Sequence, residues 1–155
     1  MTVYRAPDEE IYQKHADELV RFATGIVGPT DAPDVVSDAV IRAMTSRNWT
    51  QVTNHRAYLY RSVLNQARMH HRSTMRRRAR EMRAFQHDTV DMPDVRPEVL
   101  EAVGSLSPRQ RASVFLTYWE GLTTGEVAAR LATSEGSVKR HLARARRKLR
   151  GVLDE

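Results

Sequence analysis

The sequence contains no cysteine, which excludes disulfides and thiolate metal sites and leaves nothing that calls for an oxidising compartment. Aromatic residues make up only 6% of its 155 residues, so a core must rest on aliphatic packing. No stretch approaches the roughly 18 apolar residues of a transmembrane helix. The opening "MTVYRAPDEEIYQKH" has no basic segment followed by an apolar run. The expectation is a cytoplasmic chain with no membrane insertion. There is no Gly-rich phosphate loop, no Ser-His-Asp arrangement and no strand signal above background. Of the histidines, His70 and His71 are neighbours; adjacent helical residues point about 100° apart. No carboxylate stands at ligand spacing beside them. The sequence therefore predicts no enzyme, no catalytic residue, no metal and no cofactor.

What is present is charge, unevenly spread. The hydrophobic fraction of 41% is enough to fold small helical units. At this length the chain could be one domain or two small ones. The formal charge of +6 suits a polyanionic partner, because a basic surface gains affinity by releasing phosphate counterions. Residues 1–54 hold five Lys or Arg against eight acids, and residues 55–83 hold nine Arg against one acid. Residues 84–104 hold one Arg against five acids, and residues 105–155 hold ten Lys or Arg against five acids. Two basic blocks separated by an acidic one are expected if two modules touch nucleic acid and the segment between them does not.

The apolar spacing predicts helices on both sides of that acidic segment. Ile11, Leu19, Phe22, Ile26 and Val27 lie largely at steps of three and four before Gly28-Pro29, and 34–44 repeats the pattern with Val35, Ala39 and Met44. Residues 46–55 are polar and rich in Asn and Thr, a loop. From Ala57 to about Arg80, Tyr58, Leu59, Val63, Leu64 and Ala67 form an apolar stripe. Its second half, "MHHRSTMRRRAR", has none and should protrude as a basic extension. "AFQHDTVDMPDVRPE", 84–98, with Pro93 and Pro97 among acids, reads as linker.

The C-terminal part is the best punctuated. Ser107 with Pro108 and Gln110, then Thr123 with Glu126, have the form of two capping boxes, and Ser134 can cap a third helix carrying Val138, Leu142, Ala145 and Leu149. A short helix, a three-residue turn and a second helix with a basic outer face make a helix-turn-helix, whose second helix enters the major groove. Ala128 and Ala129 allow close approach. Glu135, Ser137, Lys139 and Arg140 would face base edges and phosphates, with Arg144, Arg147 and Lys148 on the backbone. A solvated basic helix is the bland alternative; a membrane-surface helix would need a broader apolar face.

These residues resemble a known family over almost the whole chain. "LSPRQRASVFLTYWEGLTTGEVAARLATSEGSVKRHLARARRKLR" is similar to domain four of bacterial RNA polymerase sigma factors, which reads the promoter −35 element. "HADELVRFATGIVGPTDAPDVVSDAVIRAM" and "NHRAYLYRSVLNQARMHHR" resemble domain two. The two in this order resemble the two-domain extracytoplasmic-function group. The resemblance implies an all-α fold: sigma domain 2 at 1–83, a flexible acidic linker at 84–104 and the helix-turn-helix domain 4 at 105–155.

The resemblance also implies an alternative sigma factor that binds core RNA polymerase, at the β′ clamp helices and the β flap, and directs initiation at promoter DNA. An anti-sigma factor is a further implied partner. Asp34, Asp38 and Arg42 match the polymerase-docking helix. Trp49 and Asn54 lie where the family captures a flipped −10 base, although Trp49 could equally be a core aromatic. Arg56, Tyr60, Arg61, Asn65, Arg72 and Arg76 match the −10 DNA face. Ser134, Glu135, Ser137, Lys139, Arg140, His141 and Arg144 match the −35 reader. Departures stand at Ser37, Val40, Leu64 and Met69, at Ala132 where Gly is frequent, and at Arg140-His141 in place of the usual Ser-Arg pair. A stand-alone helix-turn-helix regulator that binds duplex operator DNA without polymerase is the other reading.

Overall fold

The structure is a computed structural model, and it describes residues 6–81 and 97–153. Helix α1 (Ala6–Val27) ends at Gly28, whose φ of +86° is a left-handed stop that favours glycine. Helix α2 (Ala32–Thr45), with Pro33 in its first turn, is followed by a 3-10 turn at Trp49–Gln51 and the long helix α3 (His55–Glu81). These three pack through Leu19, Phe22, Ala23 and Ile26 of α1, Val35, Val36, Ala39 and Val40 of α2, and Leu59, Tyr60, Val63, Leu64 and Ala67 of α3, all buried. The burial on α3 stops where its apolar stripe stops. From Arg72 to Arg80 every residue is exposed except the half-buried Thr74.

The second half comprises α4 (Pro97–Ser105), α5 (Pro108–Val114), α6 (Thr124–Leu131) and α7 (Glu135–Leu153). The expected box at Ser107 forms completely: its Oγ accepts from the Gln110 N–H at 3.2 Å, and the Ser107 N–H donates to Gln110 Oε1 at 3.0 Å. Between α5 and α6 lies a π-helical turn, Phe115–Trp119, which the spacing of apolar residues does not reveal. Ala112, Leu116, Val127, Ala128, Leu131, Val138 and Leu142 fill the core of this half.

Two expectations change. Residues 97–104, read as linker because of the prolines and acids, largely form α4, and α4 packs on α7. Pro97 is the first residue of that helix, where its missing N–H costs nothing. Residues 84–96 lie outside the described residues. The second change concerns the two halves, which do not stand apart but share one buried cluster. Phe115 sits 6.3 Å from Phe22, ring centroid to centroid, and presses on Gly25. The Arg111 guanidinium donates to the last-turn carbonyls of two helices: Ile26 O of α1 at 2.7 Å, and Gly104 O and Val103 O of α4 at 2.9 and 3.3 Å. Arg130 of α6 lies 5.1 Å over the Tyr60 ring of α3.

Candidate nucleic-acid interface

The turn between α6 and α7 is built from caps. Thr123 Oγ1 accepts from the Glu126 N–H at 3.2 Å, opening α6. At its end, the Thr133 N–H reaches back to Ala128 O at 2.9 Å, and Ala132 takes φ +50°, ψ +49°. A glycine would fit there freely, so the alanine carries strain. Ser134 Oγ accepts from the Ser137 N–H at 3.1 Å and starts α7. Val138, Leu142 and Ala145 are buried, which turns Lys139, Arg140 and Arg144 outward.

The outward face is not uniform. Glu135 Oε1 accepts from Thr124 Oγ1 at 2.7 Å and lies 3.8 Å from Lys139 Nζ. Lys148, expected on the DNA backbone, donates instead to Ser105 O at 2.8 Å and Gln110 Oε1 at 3.2 Å, so its ammonium braces α4 and α5 against α7. His141 is half-buried and its Nδ1 has no partner. Burial, reinforced by Arg109, Arg144 and Arg140, holds its pKa below the usual histidine value.

On α3, Arg61, Asn65, Arg68, Arg72 and Arg76 recur at steps of four, three, four and four, a single stripe along the helix. Arg68 was not singled out in the sequence, although its spacing from Asn65 and Arg72 carries the signal. The other residues expected at the −10 face are occupied elsewhere. Trp49 is 4% exposed and its indole N–H donates to Asp8 Oδ1 at 2.9 Å, so the ring packs in the core and is not offered for stacking. Asn54 Oδ1 accepts from the Ala57 N–H at 3.0 Å, capping α3. Arg56 makes a two-pronged pair with Glu18 at 2.6 and 2.8 Å, and Tyr60 is buried beneath Arg130. Apart from the local cap at Asn54, these are long-range partners that spacing along the chain does not expose.

Asp34, Asp38 and Arg42 stand at i, i+4 and i+8 on α2, all exposed and opposite the buried Val35–Val36–Ala39 face. The structure thus brings this trio together. It also brings the first part of the α3 stripe to a cleft shared with α5 and α7: Arg61, Asn65, Arg68, Arg109, Ser137 and His141 all line one space of about 280 Å³. Arg109 was likewise not singled out. Among the described residues no three His, Asp or Glu side chains converge as a metal site, and no helix is long and apolar enough to cross a membrane.

Comparison with known proteins places both halves. Residues 11–77 match the family model for sigma-70 region 2, and residues 96–149 match that for sigma-70 region 4. The chain is 34% identical over 161 residues to an RNA polymerase sigma-E factor of Streptomyces antibioticus, covering 94% of this chain and 84% of that protein. It is 31% identical over 160 residues to the ECF RNA polymerase sigma factor SigE of Mycolicibacterium smegmatis, covering 94% of this chain and 61% of that protein. Among solved structures it resembles the sigma factor RpoE of Bartonella quintana, crystallised with the anti-sigma factor NepR. There the TM-score is 0.59 at 22% identity, over 94% of this chain and 96% of that one, a likeness of fold.

Proposed function

Since this chain belongs to the RNA polymerase sigma factors of the sigma-70 family, in their extracytoplasmic-function group, we propose how its residues divide the work of promoter recognition. It is an alternative sigma factor that directs transcription, an initiation factor and not an enzyme. Asp34, Asp38 and Arg42 on the outer face of α2 dock on the clamp helices of core polymerase, and the helix-turn-helix half sits near the β flap. Lys139, Arg140 and Arg144 of α7 enter the −35 major groove, with Ser137 at the groove-facing start of the helix. The α3 stripe from Arg61 to Arg76 follows the −10 DNA. Stabilising unstacked bases there must offset on the order of a few kcal/mol per base. The work is done in the cytoplasm, and a protein inhibitor of the anti-sigma kind is a further partner.

The observation that carries this reading is the pair of basic faces, one on each family region, with a separate exposed trio of two aspartates and an arginine on α2. In the described arrangement part of the α3 stripe, Arg61, Asn65 and Arg68, shares one cleft of about 280 Å³ with Ser137 and His141 of α7, and that cleft has no room for a duplex. Positions −10 and −35 lie roughly 85 Å apart along B-DNA, at about 3.4 Å per base pair. The two halves therefore separate before both elements are engaged. The closed arrangement is the free chain's, and docking on polymerase supplies the free energy to open it.

In vitro transcription with core polymerase, from a promoter recovered by run-off of genomic fragments, tests this. Lys139→Ala with Arg140→Ala should lower specific initiation at least tenfold while core pull-down is retained. Asp38→Arg should weaken the pull-down itself. Unchanged initiation in the first variant removes α7 from −35 reading, and a normal pull-down in the second removes α2 from docking. A stand-alone regulator would instead bind its duplex tightly without polymerase.

A further inference from the structure

The closed arrangement creates a cleft whose charge is unbalanced. Arg61 and Arg68 of α3 face Arg109 of α5 across it, joined by Asn65, Ser137 and His141, and no carboxylate lines it. Among the described residues none of these three guanidinium groups has a hydrogen-bond acceptor or an ionic partner. Arg68 is half-buried, and the burial together with Arg109 and Arg72 disfavours its charge. The His141 Nδ1 is buried without a partner. Arg68 thus loses hydration while the exposed Arg61 and Arg109 add like charge around the same cleft, a cost that an anion seated between them would reverse.

The shape narrows the anion. A volume of about 280 Å³ falls just below the usual range for whole small-molecule ligands, and suits a compact, highly charged group. Guanidinium forks match phosphate oxygens in pairs, and the Ser137 hydroxyl and Asn65 amide add uncharged donors. We propose that this cleft binds a compact oligophosphate, the di- or triphosphate group of inorganic polyphosphate or of a nucleotide, and that its occupation fastens the two halves in the closed arrangement. The ligand is bridged by α3 on one side and by α5 and α7 on the other, so separating the halves dismantles the site. It follows, resting on the promoter reading above, that the anion competes with DNA for Arg61, Asn65 and Ser137.

The absence of cysteine makes the test clean. The full chain, carrying Ser37→Cys and Gly151→Cys for a donor–acceptor pair, is titrated in metal-free buffer at fixed ionic strength with sodium tripolyphosphate and, separately, with ATP. Calorimetry should give one equivalent per chain for each, with energy transfer held at or above its starting value. Arg68→Gln with Arg109→Gln should weaken both affinities at least tenfold. Without anion this variant should melt no lower than the parent, since it removes repulsion. Arg68→Lys with Arg109→Lys keeps the charge, loses the forks and should fall between.

No saturable binding, several equivalents per chain, or affinity unchanged in the Gln variant would each overturn the proposal, the last two by showing only a diffuse charge atmosphere. Binding of ATP but not tripolyphosphate would also overturn it, because the base would then be what is recognised. Tripolyphosphate alone supports it and identifies the inorganic source. No polymerase or promoter enters the assay, so this result and the promoter reading can fail independently.

Discussion

Gly25→Ala is the sharpest probe of the contact between the two halves. A Cβ built at Gly25 lies 2.5 Å from Cδ2 and 2.8 Å from Cγ of Phe115, where carbon pairs normally rest at about 3.5–4.0 Å. The ring has to retreat by roughly 1 Å to restore that spacing. It is held between Phe22, with centroids 6.3 Å apart, and Trp119, stacked at 6.5 Å. Overpacking of this kind costs about 1–3 kcal/mol. Replacing a helix-interior glycine by alanine returns about 0.5–1 kcal/mol of helix stability. The net loss falls on the contact rather than on either half, about 1 kcal/mol or somewhat more, which shifts the closed-to-open ratio several-fold toward open. Small-angle scattering should show a larger radius of gyration, and urea unfolding a lower or broadened transition. Gly136→Ala on α7 is the control: beyond its chain neighbours and its own helix backbone no atom lies within 4 Å of its Cβ, so only a small helix gain is expected. If Gly25→Ala raises the urea midpoint as the control does, with an unchanged radius, Phe115 does not cover Gly25 in solution and the closed arrangement is wrong.

Two further outcomes follow from local geometry. Ala132→Gly relieves the left-handed residue between α6 and α7. Relief of about 1–2 kcal/mol less about 0.4–1 kcal/mol of unfolded-chain entropy leaves a net stabilisation, and a lowered urea midpoint would contradict the strained cap. Burial is also the first cause holding both His141 and His71 below the ordinary histidine pKa of 6.5. Below that value the unfolded chain binds more protons than the folded one. Stability is therefore complete above about pH 6.5 and declines as pH falls toward the depressed folded values. Melting temperature against pH should show this decline, and His141→Gln should flatten it; a slope untouched by that change would mean His141 is solvated.

The sequence by itself determined whatever depends on near neighbours. The caps at Ser107, Thr123 and Ser134 lie three residues from their partners, and the end of burial on α3 coincides with the end of its apolar stripe. The exposed trio on α2 and the α3 arginine stripe are periodic for the same reason. The helix-turn-helix was legible because each of its parts is a local rule.

Tertiary structure alone decided the partners of the polar groups that reach beyond their own element. Arg111 reaches Ile26 across 85 positions, Trp49 reaches Asp8 across 41, and Lys148 reaches Ser105 across 43. No periodicity encodes such pairs, so the sequence could not separate a DNA-facing cation from a bracing one. The joining of the halves is equally hidden: it depends on a ring in a π-helical turn finding the one place on α1 where a missing side chain lets it approach. Which surfaces are buried together is a property of the assembled shape, because burial depends on distance in space, and chain spacing reports distance only within an element.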